Sequence, residues 1–189
     1  MAATEFLRAP WATPYGVSSV LVDGPVAEPL TLDEAKLRAG LDWPAGDPRD
    51  ALMLSFIKAA REKVEADTGL ALLEQTRRVT IRARAGELLP LPAQTIPTVS
   101  ITPDAGHAYP PTFDGIVLAS DYDATLTVVA GWPTPAALAA EAPLLVQAVG
   151  LLVAHMATLG RDLAAFEESF LLPLGYAEAI ATYCHVRLA

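Results

Sequence analysis

The sequence predicts an α+β fold, mainly helical, in which four helices pack with a small antiparallel β-sheet. Two patterns support this prediction. Apolar residues recur at helical spacing early and again late in the chain, whereas residues from about 75 to 130 alternate between apolar and polar side chains, as half-buried strands do. The predicted helices span about residues 31–39, 48–68, 143–159 and 175–183.

The composition indicates one folded domain and excludes several classes of protein. Of the 189 residues, 52% are hydrophobic and 19% are charged, which argues against a disordered chain. The 13 Lys and Arg against 22 Asp and Glu give a net charge of −9, so the chain is a poor candidate for a general nucleic-acid binder. Its single cysteine, Cys184, excludes an intrachain disulfide framework and a cysteine-based zinc cluster.

Local signals define the first two helices. Thr31 and Glu34 have the spacing of a capping box, and Gly40 follows the predicted end of that helix. Asp47 is a suitable N-cap for the second helix, and Gly69 is expected just after its end. The apolar stripe predicted for the second helix comprises Leu52, Phe56, Ala59, Ala60 and Val64, widened by Met53 and Ile57.

Four strands are predicted in the middle of the chain. They cover about residues 75–85, 96–102, 116–118 and 124–130, and Gly131 lies in the segment that ends the sheet. On the first strand, Val79 and its neighbours at every second position are apolar, whereas the alternate positions are basic or polar.

The basic positions form the one charged cluster that suggests a contact surface. It consists of Arg78, Arg82 and Arg84, with Arg77 beside them. Three interpretations remain open: a solvated face paired with acidic neighbours, a surface that binds an acidic partner subunit, or a contact to DNA phosphates.

The third long helix is apolar on nearly every side, so it is expected to be buried against several neighbours, including other subunits. The apolar segment 142–159 contains Gln147 and His155 and is shorter than the roughly 20 residues of a membrane-spanning helix, so no membrane is expected. His155 is expected to be a core histidine held by one hydrogen bond rather than a metal ligand.

The sequence contains none of the common catalytic, phosphate-binding or metal-binding motifs. No catalytic residue, metal or cofactor is therefore predicted. Asp121 and Asp123 are too few for a calcium site. A small enzyme that uses Asp121, His155 or Cys184 is the weakest of the functional alternatives, because no spacing brings these residues together.

We expect three regions along the chain. Residues 1–28 contain several prolines and form an extended arm with short β-like pieces such as 18–22. Residues 29–182 form the main domain, with a β-rich insertion at 75–131, and residues 183–189 form a C-terminal tail.

Several segments between about residues 29 and 188 together form a pattern that is structural rather than catalytic. They are LTLDEAK (30–36), DALMLSFIKAAREKVE (50–65), TGLALLEQT (68–76), LPLP (89–92), PTVSI (97–101), PLLVQAV (143–149), LVAH (152–155) and LPLG (172–175). In these segments the sequence resembles the head–tail connector, or adaptor, proteins of tailed bacteriophages. The long N-terminal arm and a proline-rich insertion near residues 109–111 depart from the simplest members.

The resemblance implies a non-enzymatic virion protein, made in the host cytoplasm and located in the virion neck. Such proteins form rings, usually of twelve copies, that dock beneath the portal protein and extend the DNA channel, through which DNA passes non-specifically. The next neck or tail protein, and in some cases the capsid protein, are further implied partners. A stopper or tail-completion protein of the same neck is the alternative. By position, the portal-binding residues would be those of the C-terminal tail: Tyr183, His185, Val186, Arg187 and Leu188.

Overall fold

The computed structural model describes residues 18–83, 88–89, 92–103, 116–117, 122–159 and 172–184, and it shows an α+β fold. The helices within these residues are α1 (Leu32–Arg38), α2 (Arg49–Thr68), α3 (Pro135–Glu141), α4 (Pro143–Leu159) and α5 (Tyr176–Ala181). The strands are β1 (Ser18–Asp23), β2 (Gln75–Ala83), β3 (Leu88–Leu89), β4 (Thr98–Pro103), β5 (Ile116–Val117) and β6 (Tyr122–Ala130). The α+β prediction is confirmed.

The predicted capping box of α1 is confirmed, whereas the N-cap position of α2 is occupied by Pro48 and not by the predicted Asp47. The Thr31 hydroxyl accepts the Glu34 N–H at 3.3 Å, and the Thr31 N–H donates to the Glu34 carboxylate at 2.8 Å. The Asp47 carboxylate accepts the Arg49 N–H at 2.9 Å, at the start of α2. Gly69 ends α2 with a φ of 74°, a left-handed conformation that suits glycine.

The predicted apolar stripe of α2 is only partly correct. Met53, Ile57, Ala60 and Val64 are buried, whereas Leu52 is 54% exposed and Ala59 is also exposed. The buried face is displaced because it includes charged and polar side chains that have hydrogen-bond partners inside the fold, and apolar spacing alone cannot detect these. These side chains are Arg61, Glu65 and Thr68.

Residues 135–141, expected only as an approach to the third long helix, form the separate helix α3. Thr134 caps α3, because its hydroxyl accepts the Ala137 N–H at 3.1 Å. Ala142 then separates α3 from α4, and α5 is shorter than the predicted span of 175–183.

A four-stranded antiparallel sheet has the order β1-β2-β6-β4. The expected third strand does not join it, since β5 pairs with β3 in a separate two-stranded sheet. On the inner face, Val79, Leu126 and Val128 are buried. The opposite face of β2 and β6 carries threonines at 76, 80, 125 and 127 together with Arg78, so that face is polar.

Helix α4 lies at the centre of the helical part of the chain and contacts α1, α2, α3 and α5. Its buried residues include Leu145, Val149 and Val153. The expected burial of the apolar surface of α4 against several neighbours is confirmed, whereas a contact of α4 with other subunits stays a prediction. The helices of the same chain cover most of that surface, and Leu144 is the one strongly exposed leucine of α4 among the described side chains.

The helical part and the sheet are joined where Leu73 forms a bridge with Trp132. The Glu74 N–H donates to the Trp132 carbonyl at 2.9 Å, and the Gly131 N–H donates to the Pro97 carbonyl at 2.8 Å. Gly131 has a φ of 112°, and a Cβ at this position would lie 2.2 Å from the Leu73 carbonyl oxygen. Only glycine allows the two backbones to approach so closely.

Candidate interaction surfaces

Strand β1 lies at one edge of the sheet and is poorly covered. Val20 is 63% exposed, and Leu21 and Val22 are each 46% exposed. Because neighbouring residues of a strand point to opposite faces, this exposure means that both faces of β1 are open. At the opposite edge, Val99 of β4 is 56% exposed, and no described residue pairs with the outer side of either strand.

The predicted basic face of β2 is only partly described. Arg78 is exposed on the polar face, where its backbone pairs with Val20 in register. Arg77 points to the inner face, is half-buried and donates to the Ser19 hydroxyl at 2.8 Å, so it fastens β1 to β2. Burial lowers the pKa of Arg77. The Arg82 side chain and the whole of Arg84 lie outside the described residues.

A buried ion cluster links the segment before α1 to the inside of α2. Arg61 lies 2.8 Å from Glu28 and 2.8 Å from Glu65, and the exposed fraction of its side chain is only 5%. Glu65 also accepts the Leu72 N–H at 3.0 Å. Burial raises the pKa of Glu65, with Arg61 acting in the opposite direction. Burial likewise opposes the charge on Arg61, but Glu65 and Glu28 outweigh it and raise its pKa.

A second polar cluster surrounds Trp43 in the loop between α1 and α2. The Trp43 indole donates to Asp50 at 2.7 Å, and Lys36 also lies 2.7 Å from Asp50. The Arg49 guanidinium lies 4.4 Å from the centre of the Trp43 ring. The hydrogen bond from Lys36 is the main cause that lowers the pKa of Asp50. A groove of about 200 Å³ adjoins this cluster, and its apolar lining includes Leu52 and Phe56.

Sequence reasoning missed both clusters. The available signal was the presence of Lys36, Arg61 and Glu65 at helix positions that follow the buried spacing. A charged residue at such a position requires a buried partner, and that partner is not identifiable from spacing alone.

The C-terminal residues proposed to bind a portal are described only at their start. Tyr183 packs against the helical core, and its N–H donates to the Ile180 carbonyl at 2.8 Å. His185, Val186, Arg187 and Leu188 lie outside the described residues. Just upstream, the Tyr176 hydroxyl donates to Asp67 at 2.7 Å and anchors α5 on α2. Burial, followed by Asp67, raises the pKa of Tyr176.

Two of the three residues named for the enzyme alternative, His155 and Cys184, lie in the described part of the chain. His155 lies on α4, and its Nε2 is buried without a hydrogen-bond partner among the described residues, so the predicted single hydrogen bond is not formed at that atom. Because α4 lies in apolar surroundings, few polar groups are within reach. Cys184 is exposed with its Sγ 3.8 Å from the Asp67 carbonyl oxygen, and Asp121 lies outside the described residues.

Within the described ranges, no group of three or more His, Cys, Asp or Glu side chains is placed to hold a metal ion. In those same ranges, no single helix has both the length and the apolar character to cross a membrane. The helices Pro135–Glu141 and Pro143–Thr158 reach that length and apolar character only when they are counted together, and they are bent by 112° relative to each other.

Together these features describe an α+β protein whose distinctive surfaces, among the described residues, are strand edges and exposed apolar side chains. No protein-family model matches the chain, and no curated protein does either.

Solved structures with the same fold come from gene transfer agent particles. A chain in the neck of the empty particle, computed with C6 symmetry, is 24% identical, with a TM-score of 0.68 over 91% of this chain and 97% of that one. A chain in the virion of the native particle is 22% identical, with a TM-score of 0.67 over 90% and 97%. A chain in the neck of the native particle, computed with C12 symmetry, is 24% identical, with a TM-score of 0.61 over 90% and 97%. The predicted resemblance to head–tail connectors is confirmed at the level of the fold.

Proposed function

We propose that this chain is a structural, non-enzymatic protein of the neck of a phage-like particle. The observation that carries the proposal is the fold shared with neck chains over 91% of this chain and 97% of the other. Because the similarity spans nearly the full length of both chains, it covers the arrangement of the helices and the sheet together and not one common motif. In this proposal the protein is made in the host cytoplasm and then incorporated into the neck.

The finer form of the proposal is a ring adaptor of twelve copies that docks beneath the portal and continues the DNA channel. The six-fold and twelve-fold symmetry of the similar necks supports a ring. A net charge of −9 supports a channel through which DNA passes without sticking, because carboxylates repel phosphates.

The residues proposed to contact other proteins lie in two regions. The C-terminal tail, including Tyr183, would reach the portal. The exposed Arg78 on the polar sheet face, with Arg82 and Arg84, would meet an acidic partner or DNA phosphates. Arg77 would support this face indirectly, since its guanidinium is already bonded to Ser19. The next neck protein and the capsid are further proposed neighbours.

The proposal is tested by mixing the purified chain with the portal protein of the same particle and examining the mixture by sizing chromatography and negative-stain electron microscopy. Closed rings, either free or formed only on the portal, are expected. A chain that stays monomeric and ignores the portal would contradict the proposal. A chain that forms rings but binds only the downstream neck protein would instead fit a stopper or tail-completion protein.

The role of the tail is tested by a chain that ends at Cys184. This truncation keeps Tyr183, which packs against the core, so the fold is expected to remain intact. The variant should keep its melting temperature but no longer bind the portal protein. The matched control is Arg78→Glu in the full chain. It should still bind the portal protein, which would show that the loss of binding comes from the tail and not from the polar sheet face.

A further inference from the structure

The outer edges of β1 and β4 lack a described partner at the two ends of one sheet. Exposed edge strands usually carry lysine, proline or a bulge that prevents pairing with another chain. In β1 the six residues Ser18–Asp23 include no lysine and no proline, and their only irregularity is near Asp23. β4 has a bulge at Val99, between Thr98 and Ser100, and ends at Pro103, so residues 99–102 remain for pairing with another strand.

The charge of the protein limits where two copies can touch. Each copy carries a net charge of −9, so most of its surface repels an identical surface. β1 has only Asp23 as a charged residue, and β4 has none. Both edges also expose apolar side chains, with Val20 at 63% and Val99 at 56%. Contact between these edges would therefore bury apolar surface with little like-charge repulsion.

The strand directions allow such a contact to repeat around a ring. β1 is antiparallel to β2, β2 to β6, and β6 to β4, so β1 and β4 of one copy run in opposite directions. A ring rotation of about 30° per copy, as in twelve-fold symmetry, leaves strand directions nearly unchanged. The β1 strand of the next copy therefore meets β4 in an antiparallel orientation, which allows regular backbone hydrogen bonds between the two strands.

We propose that neighbouring copies join edge to edge, with β1 of one copy pairing with β4 of the next, so that the four-stranded sheets become one continuous sheet around the ring. This inference rests on the proposed ring function and specifies the contact that forms the ring. It is a head-to-tail interface, because two different edges meet. An interface of this type does not stop at a dimer, and it forms a ring when the rotation between successive copies closes.

Cysteine cross-linking tests the contact directly. In a Cys184→Ser background, Val99→Cys is combined in turn with Ser18→Cys, Val20→Cys and Val22→Cys. Three positions on β1 are used because the combination that cross-links identifies the register between β1 and β4 of neighbouring copies. Oxidation of assembled rings should give a ladder of covalent multimers for at least one combination. Single-cysteine variants should give dimers at most. Val99→Cys with Leu174→Cys is the matched control, because Leu174 is 97% exposed but lies outside the sheet.

Charge substitution provides the second measurement. Val20→Lys and Val22→Lys place lysines on an exposed strand, where the fold should tolerate them. We expect the protein concentration at the midpoint of assembly to rise by at least about tenfold. Val26→Lys, at a fully exposed position beyond the strand, should assemble like the original chain.

The outcomes separate this inference from the function on which it rests. Rings that form normally but give no ladder for any combination, and that tolerate both lysines, would overturn the edge-to-edge contact and leave the neck function standing. Failure of the original chain to form rings, free or on the portal, would overturn both.

Discussion

Replacement of Gly131 by alanine tests the junction between the sheet and the helical part. The added Cβ would lie 2.2 Å from the Leu73 carbonyl oxygen and 2.3 Å from its carbon. An unstrained contact needs roughly 3.5 Å, so one backbone must move by more than about 1 Å. The φ of 112° is also unfavourable for alanine. Backbone strain of about 1–3 kcal/mol and overpacking of about 1–3 kcal/mol give a loss of about 2–6 kcal/mol.

The matched control is Gly46→Ala. Gly46 also has a positive φ, 86°, but nothing lies within 4 Å of an added Cβ. This variant isolates the backbone penalty, about 1–2 kcal/mol. For a chain of this size 1 kcal/mol corresponds to about 2–4 °C in melting temperature, so Gly131→Ala should melt about 4–24 °C lower and Gly46→Ala about 2–8 °C lower. Thermal unfolding followed by circular dichroism measures both. Equal losses in the two variants would refute the close-approach argument.

Three further predictions concern polar groups. Arg61→Met should lower the free energy of unfolding by about 3–5 kcal/mol in urea, because it leaves buried carboxylates without their cation; a loss below 1 kcal/mol would contradict the cluster. Tyr176→Phe should lower the free energy of unfolding by about 1.5–3 kcal/mol, since it removes the hydrogen bond from the Tyr176 hydroxyl to the Asp67 carboxyl group. An unchanged urea midpoint would count against that bond. The Arg49 side chain lowers the pKa of Asp47 to about 2. The stabilisation from Asp47 is therefore complete above the unfolded pKa near 4 and is lost as the pH falls toward about 2. Carboxyl-carbon NMR titration should place the Asp47 midpoint in that range, and a midpoint near 4 would exclude the Arg49 interaction.

The sequence was most informative where the structure depends on neighbouring residues. Thr31 and Glu34 cap α1 through atoms three residues apart, and Gly69 ends α2 through its own backbone conformation. Such signals lie within one turn of helix, so they survive without knowledge of the rest of the fold. The bounds of α4 were equally accessible, because Pro143 and a long apolar run define them locally.

The errors arose where distant residues decide the outcome. The buried face of α2 depends on Arg61 meeting Glu28, which is 33 residues away. The pairing of β5 with β3 instead of the main sheet joins segments that no local pattern relates. Arg77 lies on the face of β2 opposite Arg78, as strand alternation requires, but its bond to Ser19, 58 residues away, has no local signal in the sequence.

The sequence indicated that contact surfaces exist, but it did not identify the strand edges that form them. Exposed valines on β1 and β4 are ordinary strand residues in the sequence, and their meaning depends on β1 and β4 being the two edges of one sheet. Strand order is a property of the whole topology, so composition and alternation could not supply it.

The ion pair between Glu28 and Arg61 has a mechanical consequence for the segment before it. If a neighbour pulls on the N-terminus, β1 can detach from β2 one ladder bond at a time, starting at Ser18. The separation then reaches Glu28 and the buried Leu30, where a buried charge pair and core packing must break together. Tension on β1 would therefore stop at the Glu28–Arg61 ion pair and the packed Leu30. The edge of the sheet would separate first, while the helices around α4 keep their arrangement.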